Sequence, residues 1–350
     1  MARVADADAA LAAARRADRP VSVRVLALVL AVLALGAVII GSILLGSRDI
    51  DVATVLRVLI DSEADDPGGV IRQSRLPRTM VGLTAGVGLG LAGALIQAVT
   101  RNPLADPGIL GVTSGAGFAV AIAVSVLGLT QPAQFIWFAF GGALLTTVAV
   151  YAISASGRGT VSPVRLTLAG VALSAVLSGI VAAMVLADRQ GFNAMRAWEA
   201  GSLEGRDWTG FGLIGTCVLA GVLIALALGP SLNAVALGDD MATALGARVG
   251  AVRAMTIVAV TLLAGGATAL AGPIAFVGLM VPHVARWIVG PDQRWILALT
   301  VPLAPILLLG ADIIGRIALP VDELPVGVVT AFVGAPVLIA LVRRSKVSGL

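Results

Sequence analysis

Few side chains in this sequence are equipped for covalent or metal chemistry. His283 is the only histidine and Cys217 the only cysteine. A metal site or proton relay at His283 needs further ligands close by, and the surrounding stretch AGPIAFVGLMVPHVARWIVG supplies none. The expectation there is a hydrogen-bonded structural histidine. A single cysteine inside an apolar run excludes a disulfide within the chain and a cysteine-rich metal centre. Lys346 is the one lysine, and every other basic residue is arginine. A phosphate loop of the GxxxxGK[ST] type is therefore missing, and any ATP used alongside this chain must be hydrolysed by another.

What is left is charge and turn chemistry at the ends of apolar runs. Arg75-Leu76-Pro77-Arg78 sets two guanidiniums beside a rigid proline, just ahead of 22 uncharged residues, 79–100. Such a pair can grip carboxylates on a partner bidentately. It can equally be two arginines snorkelling at a helix end. The stretch QAVTRNPLADPGILGVTSGAG follows, from Gln97 to Gly117. Asn102-Pro103 and Asp106-Pro107 are turn-starting dipeptides, and each proline biases the residue before it away from helix. Residues 101–107 thus make a short, polar, stiff hairpin between two apolar runs, either a gate or an ordinary loop. The third stretch is LGDDMATALGARVG, residues 237–250. Asp239 and Asp240 suit a helix start, where carboxylates cap free N–H groups and face the helix dipole. Met241, Ala244 and Leu245 share one face at i, i+3 and i+4, and Gly246 suits the stop. This short amphipathic helix is too polar to cross a bilayer; it rests on lipid or docks in another protein's groove.

The elements that must hold these groups are membrane helices. The 350 residues are 58% hydrophobic and only 13% charged, where soluble domains carry roughly 25% charge. The 42 glycines and many alanines suit helices packed closely in lipid. Residues 1–24 read as a polar, arginine-bearing tail, and 25–46 as an uncleaved first span rather than a signal peptide. Residues 48–78, the longest polar segment between spans, fall outside by alternation, and their five arginines run against the positive-inside bias. Further spans are expected at 79–100, two within 107–157 with a break at 130–134, and one each at 166–187 and 208–230. Residues 254–290 hold two more, divided at Gly265-Gly266 and Gly272-Pro273, before 295–311 and 324–342. Trp198 and Trp208, in and beside the loop 188–207, are expected at the interfacial belt. Ten spans with both termini inside leave 15 Lys/Arg on inner segments and nine on outer ones.

Five motifs in order now carry a resemblance. RLPR at 75–78, the run from Gln97 through RNPLADPGILGVTSGAG, LGDDMATALG at 237–246, AGPIAFVGLMVPHVAR at 271–286 and ELPVGVVTAFVGAP at 323–336 closely resemble the FecCD-like permeases. These are membrane subunits of ATP-driven importers for ferric siderophores, cobalamin and haem. The resemblance covers about residues 25–343 and not the N-terminal tail. It implies an all-α integral membrane protein of the type II ABC importer class, with a cobalamin-permease-like fold, ten transmembrane helices per subunit and both termini cytoplasmic. The division implied is a tail at 1–24, a permease domain at 25–343 with its coupling segment at 237–250, and a second tail at 344–350.

The resemblance also implies roles. Arg75, Arg78 and Arg316 would meet acidic residues of an extracytoplasmic binding protein. Leu237, Gly238, Asp239, Asp240, Met241, Ala242, Leu245 and Gly246 would form the coupling helix that sits in an ATPase groove, although the family often has glutamate where Asp239 stands. Gln97, Asn102, Pro103, Leu104 and, in the loop before span five, Ser162 would narrow the inner mouth of the pathway. The partners implied are a second permease (an identical or a related chain), two ATPase subunits holding ATP and Mg, the binding protein and membrane lipid. No nucleic acid, catalytic residue, metal or cofactor of this chain is implied. Ferric siderophore is the expected cargo, with cobalamin or haem as alternatives. An ion-coupled secondary transporter would instead need an ion site, and Asp312 is the only acid near a span. A purely structural membrane protein would not need the 237–246 helix.

Overall fold

The computed structural model describes residues 19–46, 69, 71–129, 131–156, 163–187, 189–319 and 322–345, and among these every regular element is helical. Ser162, residues 1–18 of the N-terminal tail and residues 346–350 lie outside the described residues. Helix α1 is Val21–Leu44. A π-helical turn, Ile71–Arg75, leads into α2, Leu76–Thr100. After the turn at 101–106 comes a 3-10 turn, Pro107–Leu110, then α3, Val112–Ser125, and α4, Pro132–Ala155. Helix α5 is Pro163–Ala187, α6 Arg189–Glu199, α7 Phe211–Ala236 and α8 Asp239–Ala244. Helix α9 is Val249–Ala271, α10 Val277–Val289, α11 Gln293–Ile317 and α12 Val326–Ser345.

Seven of these are long and apolar enough to cross a membrane: α1, α2 with its leading turn, α4, α5, α7, α9 and α11. Helices α3 and α10 and the stretch Val326–Ala340 of α12 are apolar but shorter. The bundle is built around α2 and α9, each with 78% of its apolar window buried, whereas α5 has 6% buried. Helix α2 packs against α9, α11, α10 and α7. Its glycines permit this, because apolar burial does not drive helices together in lipid and close backbone contact must. A Cβ at Gly86 would lie 2.6 Å from Cα of Pro305, and one at Gly88 2.7 Å from the carbonyl oxygen of Leu263.

Helix lengths depart from expectation where glycine and proline stand inside apolar runs. Gly265-Gly266 does not divide the 254–290 stretch; α9 passes straight through it. A Cβ at Gly266 would meet Val218 and Ile214 of α7, so smallness at this position serves packing and not a break. The break is at Gly272, whose φ of 79° favours glycine. Helix α7 continues through Pro230, the expected span end, to Ala236, while α11 holds Pro302 and Pro305 inside as expected and runs past 311 to Ile317. Neighbouring helices make prolines tolerable inside membrane helices. Asp312 and Arg316, placed at and beyond a span end by the sequence, therefore sit in the last turns of α11 and are buried. The expected loop at 188–207 contains α6, which buries Met195 and Trp198; Trp198 is thus a core residue, while Trp208 remains exposed.

Candidate functional site

At one end of the bundle the chain leaves α2 through Arg101, a non-glycine residue at φ 52°. Its N–H bonds to the Ala98 carbonyl and that of Asn102 to the Gln97 carbonyl, closing the helix. Two side chains then stiffen the turn. Asn102 Oδ1 accepts from Leu104 N at 2.9 Å, and Asp106 Oδ1 accepts from Gly108 N at 2.8 Å. Burial pushes the Asp106 carboxyl up from its ordinary range, and the Gly108 N–H opposes it. The turn is anchored by Ala105 and Pro107, both buried, and presents Arg101, Asn102, Pro103 and Leu104 at its exposed tip. Gln97 is elsewhere. It is buried one turn earlier, and its Nε2 donates to the carbonyls of Gly278 and Leu279 on α10.

Helix α8 lies at the same end. Gly238 precedes it at φ 106°, and Gly246 follows it at φ 85° with its N–H on the Thr243 carbonyl. Leu237, Met241 and Leu245 are exposed around it while Ala242 is fully buried beneath. A cluster of exposed apolar side chains rimmed by polar ones marks a contact surface. Asp240 is exposed. Asp239 does not cap its own helix, as the sequence suggests it should; no side chain caps α8. Its carboxylate is taken instead by two guanidiniums. Arg253 of α9 donates Nη2 to both oxygens, at 3.0 and 2.8 Å, and Arg101 pairs with Oδ1.

At the opposite end, Arg75, Arg78 and Arg316 come together, and all three are buried. Arg75 Nη1 donates to the carbonyls of Ile43 and Leu44, at 2.7 and 2.8 Å, satisfying acceptors left open at the end of α1. Arg316 does the same for Ser42 and Leu45, at 2.7 and 3.0 Å, and also pairs with Asp312. Arg78 grips Asp312 through Nε and Nη2, with Nη2 2.7 Å from Oδ1 and 2.6 Å from Glu323 Oε2. Among the described residues the cluster sets three guanidiniums and two carboxylates at this end. Both Asp312 oxygens are occupied by arginine, which leaves this acid no room to serve as an ion-coupling site. Arg206, nearby in the connection after α6, donates Nε to the Ser202 carbonyl; burial lowers its pKa to about 10, so it too stays charged at neutral pH.

Sequence reasoning did not single out the hollow between α3, α5 and α6. It encloses about 540 Å³ and is lined by Thr113, Ser114, Ser178, Arg196, Trp198 and Glu199. Gly191, Met195 and Trp198 are buried at i, i+4 and i+7, a helical signal that was available in the loop. His283 is not held by a hydrogen bond at Nδ1 among the described residues; its ring meets Trp287 edge-on, centroids 4.8 Å apart. Among the described residues no three His, Cys, Asp or Glu side chains converge on a common point.

Residues 28–344 match the model of the FecCD transport family. The ferric enterobactin transport system permease protein FepD of Escherichia coli is 47% identical over 305 residues, covering 87% of this chain and 91% of that protein. The vitamin B12 import system permease protein BtuC of Yersinia enterocolitica is 40% identical over 279 residues, 78% of this chain and 82% of its own length. Among solved structures, an inward-facing transporter described as of the metal-chelate ABC type superposes with a TM-score of 0.78 at 28% identity, covering 91% of this chain and 98% of that one.

Proposed function

Because the chain belongs to the FecCD transport family, as a transmembrane permease subunit of an ABC importer in the cell membrane, we propose that it carries ferric siderophores. The observation behind this cargo is the 47% identity with a ferric enterobactin permease over most of both chains. Ten spans are proposed, the seven long helices with α3, α10 and α12, and both termini on the cytoplasmic side. That places α8 and the turn 101–107 inside and the Arg75–Arg78–Arg316 cluster outside. A second permease packs beside α5, whose apolar face is left uncovered within one chain. Two ATPase subunits receive α8 through Leu237, Met241 and Leu245, and they alone hold ATP and Mg. This chain needs no cofactor of its own.

The outer arginines act on a binding protein through the field of their guanidiniums, since their side chains are bonded within the chain. Charge of this kind gives orientation and association rate more than affinity, with each rim pair contributing about 0–1 kcal/mol. The inner turn, with Asn102, Pro103 and Leu104 at its tip and Ser162 in the matching loop, is the gate. Gln97 takes part by fixing α2 to α10 above it. The hydroxyl-lined hollow at Thr113, Ser114 and Ser178 is part of the pathway wall, weakly binding so that cargo is released.

Radio-iron uptake from ferric siderophores should fall in cells lacking the chain and return when it is restored, while labelled cobalamin and haem uptake stay unchanged. A fall in cobalamin uptake alone would favour the reading suggested by the 40% identity with a vitamin B12 permease. Deleting 237–246 is expected to abolish co-purification of the ATPase subunit while the chain still reaches the membrane. Unchanged co-purification would remove α8 from the coupling role.

A further inference from the structure

We propose that Arg101 is a positioning residue, a latch that ties the coupling helix to the gate turn so that movement of one carries the other. The inference rests on the roles proposed above for α8 and for residues 101–107, and it assigns the link between them.

Arg101 and Asp239 are 138 positions apart, yet they meet directly. Each stands at a boundary. Arg101 is the first residue after α2, and Asp239 is the first residue of α8. Arg101 adopts a left-handed backbone that L-residues other than asparagine and aspartate seldom take. The neighbouring Gly238, at φ 106°, brings the α8 backbone beneath the guanidinium: a Cβ there would lie 3.9 Å from Arg101 Nη1. Helix α8 otherwise packs on α7 and α9, its neighbours in sequence. The ion pair therefore reaches from α8 to the turn across a gap that the chain's own connections do not bridge.

The two arginines on Asp239 differ in kind. Arg253 is buried and rooted in α9, and it holds the carboxylate by both oxygens. The Arg101 and Asp239 side chains are 41% and 44% exposed, so their pair is weak and can open. Arg253 keeps Asp239 registered on α9 in every state, while Arg101 is the member that engages or releases. When engaged, it passes a displacement of α8 to Asn102 and Leu104 within one to three residues of chain. Asparagine and two prolines stiffen those residues, so the displacement is not lost in loop motion.

The test uses the full transporter, with permease, ATPase and binding protein in liposomes. It reads ferric siderophore transported per ATP hydrolysed, with retention of the ATPase subunit on purification as the assembly control. R101Q is expected to retain the ATPase and to lower that ratio at least about tenfold. R101K should restore half or more of it. In a C217S background, spin labels at L104C and T243C should keep one sharp separation through the ATP cycle in the parent and a broadened one in R101Q. A ratio within about twofold of the parent, or an unbroadened separation, overturns the latch. R101M, with similar reach and no charge, takes the place of R101Q should that variant fail to accumulate. A parent chain that retains no ATPase and moves no cargo overturns the importer reading itself, whereas a defect confined to the Arg101 variants bears on the latch alone.

Discussion

Asp312→Asn should be among the most damaging single substitutions in this chain, with a loss of about 3–5 kcal/mol of stability, the usual cost of removing one partner from a buried ion pair. Asp312 is almost fully buried and neutralises two guanidiniums at once, Arg78 across the bundle and Arg316 one turn along its own helix. Without it, among the described residues, Arg78 keeps Glu323, and Arg316 keeps carbonyls and the Ser42 hydroxyl. Two like charges then face each other out of water. Heating the detergent-solubilised protein and measuring the surviving monodisperse fraction by size-exclusion chromatography checks this. Glu323→Gln serves as the comparison. Glu323 is more exposed and makes its ion pair with Arg78, so its loss should cost a small part of the Asp312 effect. A loss at Asp312 no greater than at Glu323 would mean the cluster is hydrated and loosely held.

Apolar replacement of the charged trio should recover part of that loss, because an uncompensated buried charge is more costly than no charge. Recovery stays partial, since Arg316 also closes the Ser42 and Leu45 carbonyls at the end of α1. The same bonds bear on any attempt to probe docking by reversing Arg75 and Arg78 to glutamate. Arg75 holds the Ile43 and Leu44 carbonyls, and Arg78 holds Asp312. Their reversal would unfasten α1 and α11 from α2 before it altered any binding protein's approach.

Local chemistry made the turn at 101–107 and the ends of α8 legible in the sequence. Asn102, Pro103, Asp106 and Pro107 stiffen their own neighbourhood, and Gly246 terminates its own helix. The Arg75–Arg78–Arg316 cluster was legible only as a set of arginines. Arg78 and Asp312 are 234 residues apart, and nothing local says that one neutralises the other. The Asp239 carboxylate was misread for the same reason: a helix-start acid caps its own N–H groups unless a distant guanidinium reaches it first. Gly265-Gly266 and Pro230 were read with soluble-protein rules, in which glycine and proline end helices. In lipid a glycine's smallness admits a neighbouring backbone, and prolines persist where adjacent helices satisfy the freed groups. Helix α6 was the avoidable miss, because Gly191, Met195 and Trp198 carry a helical period through a segment whose charges suggested a loop.

Gly93→Ala should be nearly as damaging as Asp312→Asn, although it adds a single methyl group. A Cβ at Gly93 would overlap the Gly278 carbonyl and Cα on α10, and one at Gly278 would lie 2.7 Å from the Leu89 carbonyl. Both surfaces are backbone, so no side chain can swing aside, and α10 itself has to move. Overpacking of this kind costs about 1–3 kcal/mol. Moving α10 also breaks the two bonds from Gln97 Nε2 to Gly278 and Leu279, and a buried amide left unpaired costs about 1–3 kcal/mol more. Gly310→Ala is the matched control, a glycine within α11 whose added Cβ would meet nothing within 4 Å. Thermal survival should drop sharply for G93A and stay at the parent level for G310A. Residue 93 lies two turns before Arg101, so a displaced α10 also alters the end of α2 that leads into the turn proposed as the gate. Uptake by whatever G93A protein folds should therefore fall below what its abundance predicts. Equal stability of the two alanine variants would mean that α2 and α10 do not meet backbone to backbone.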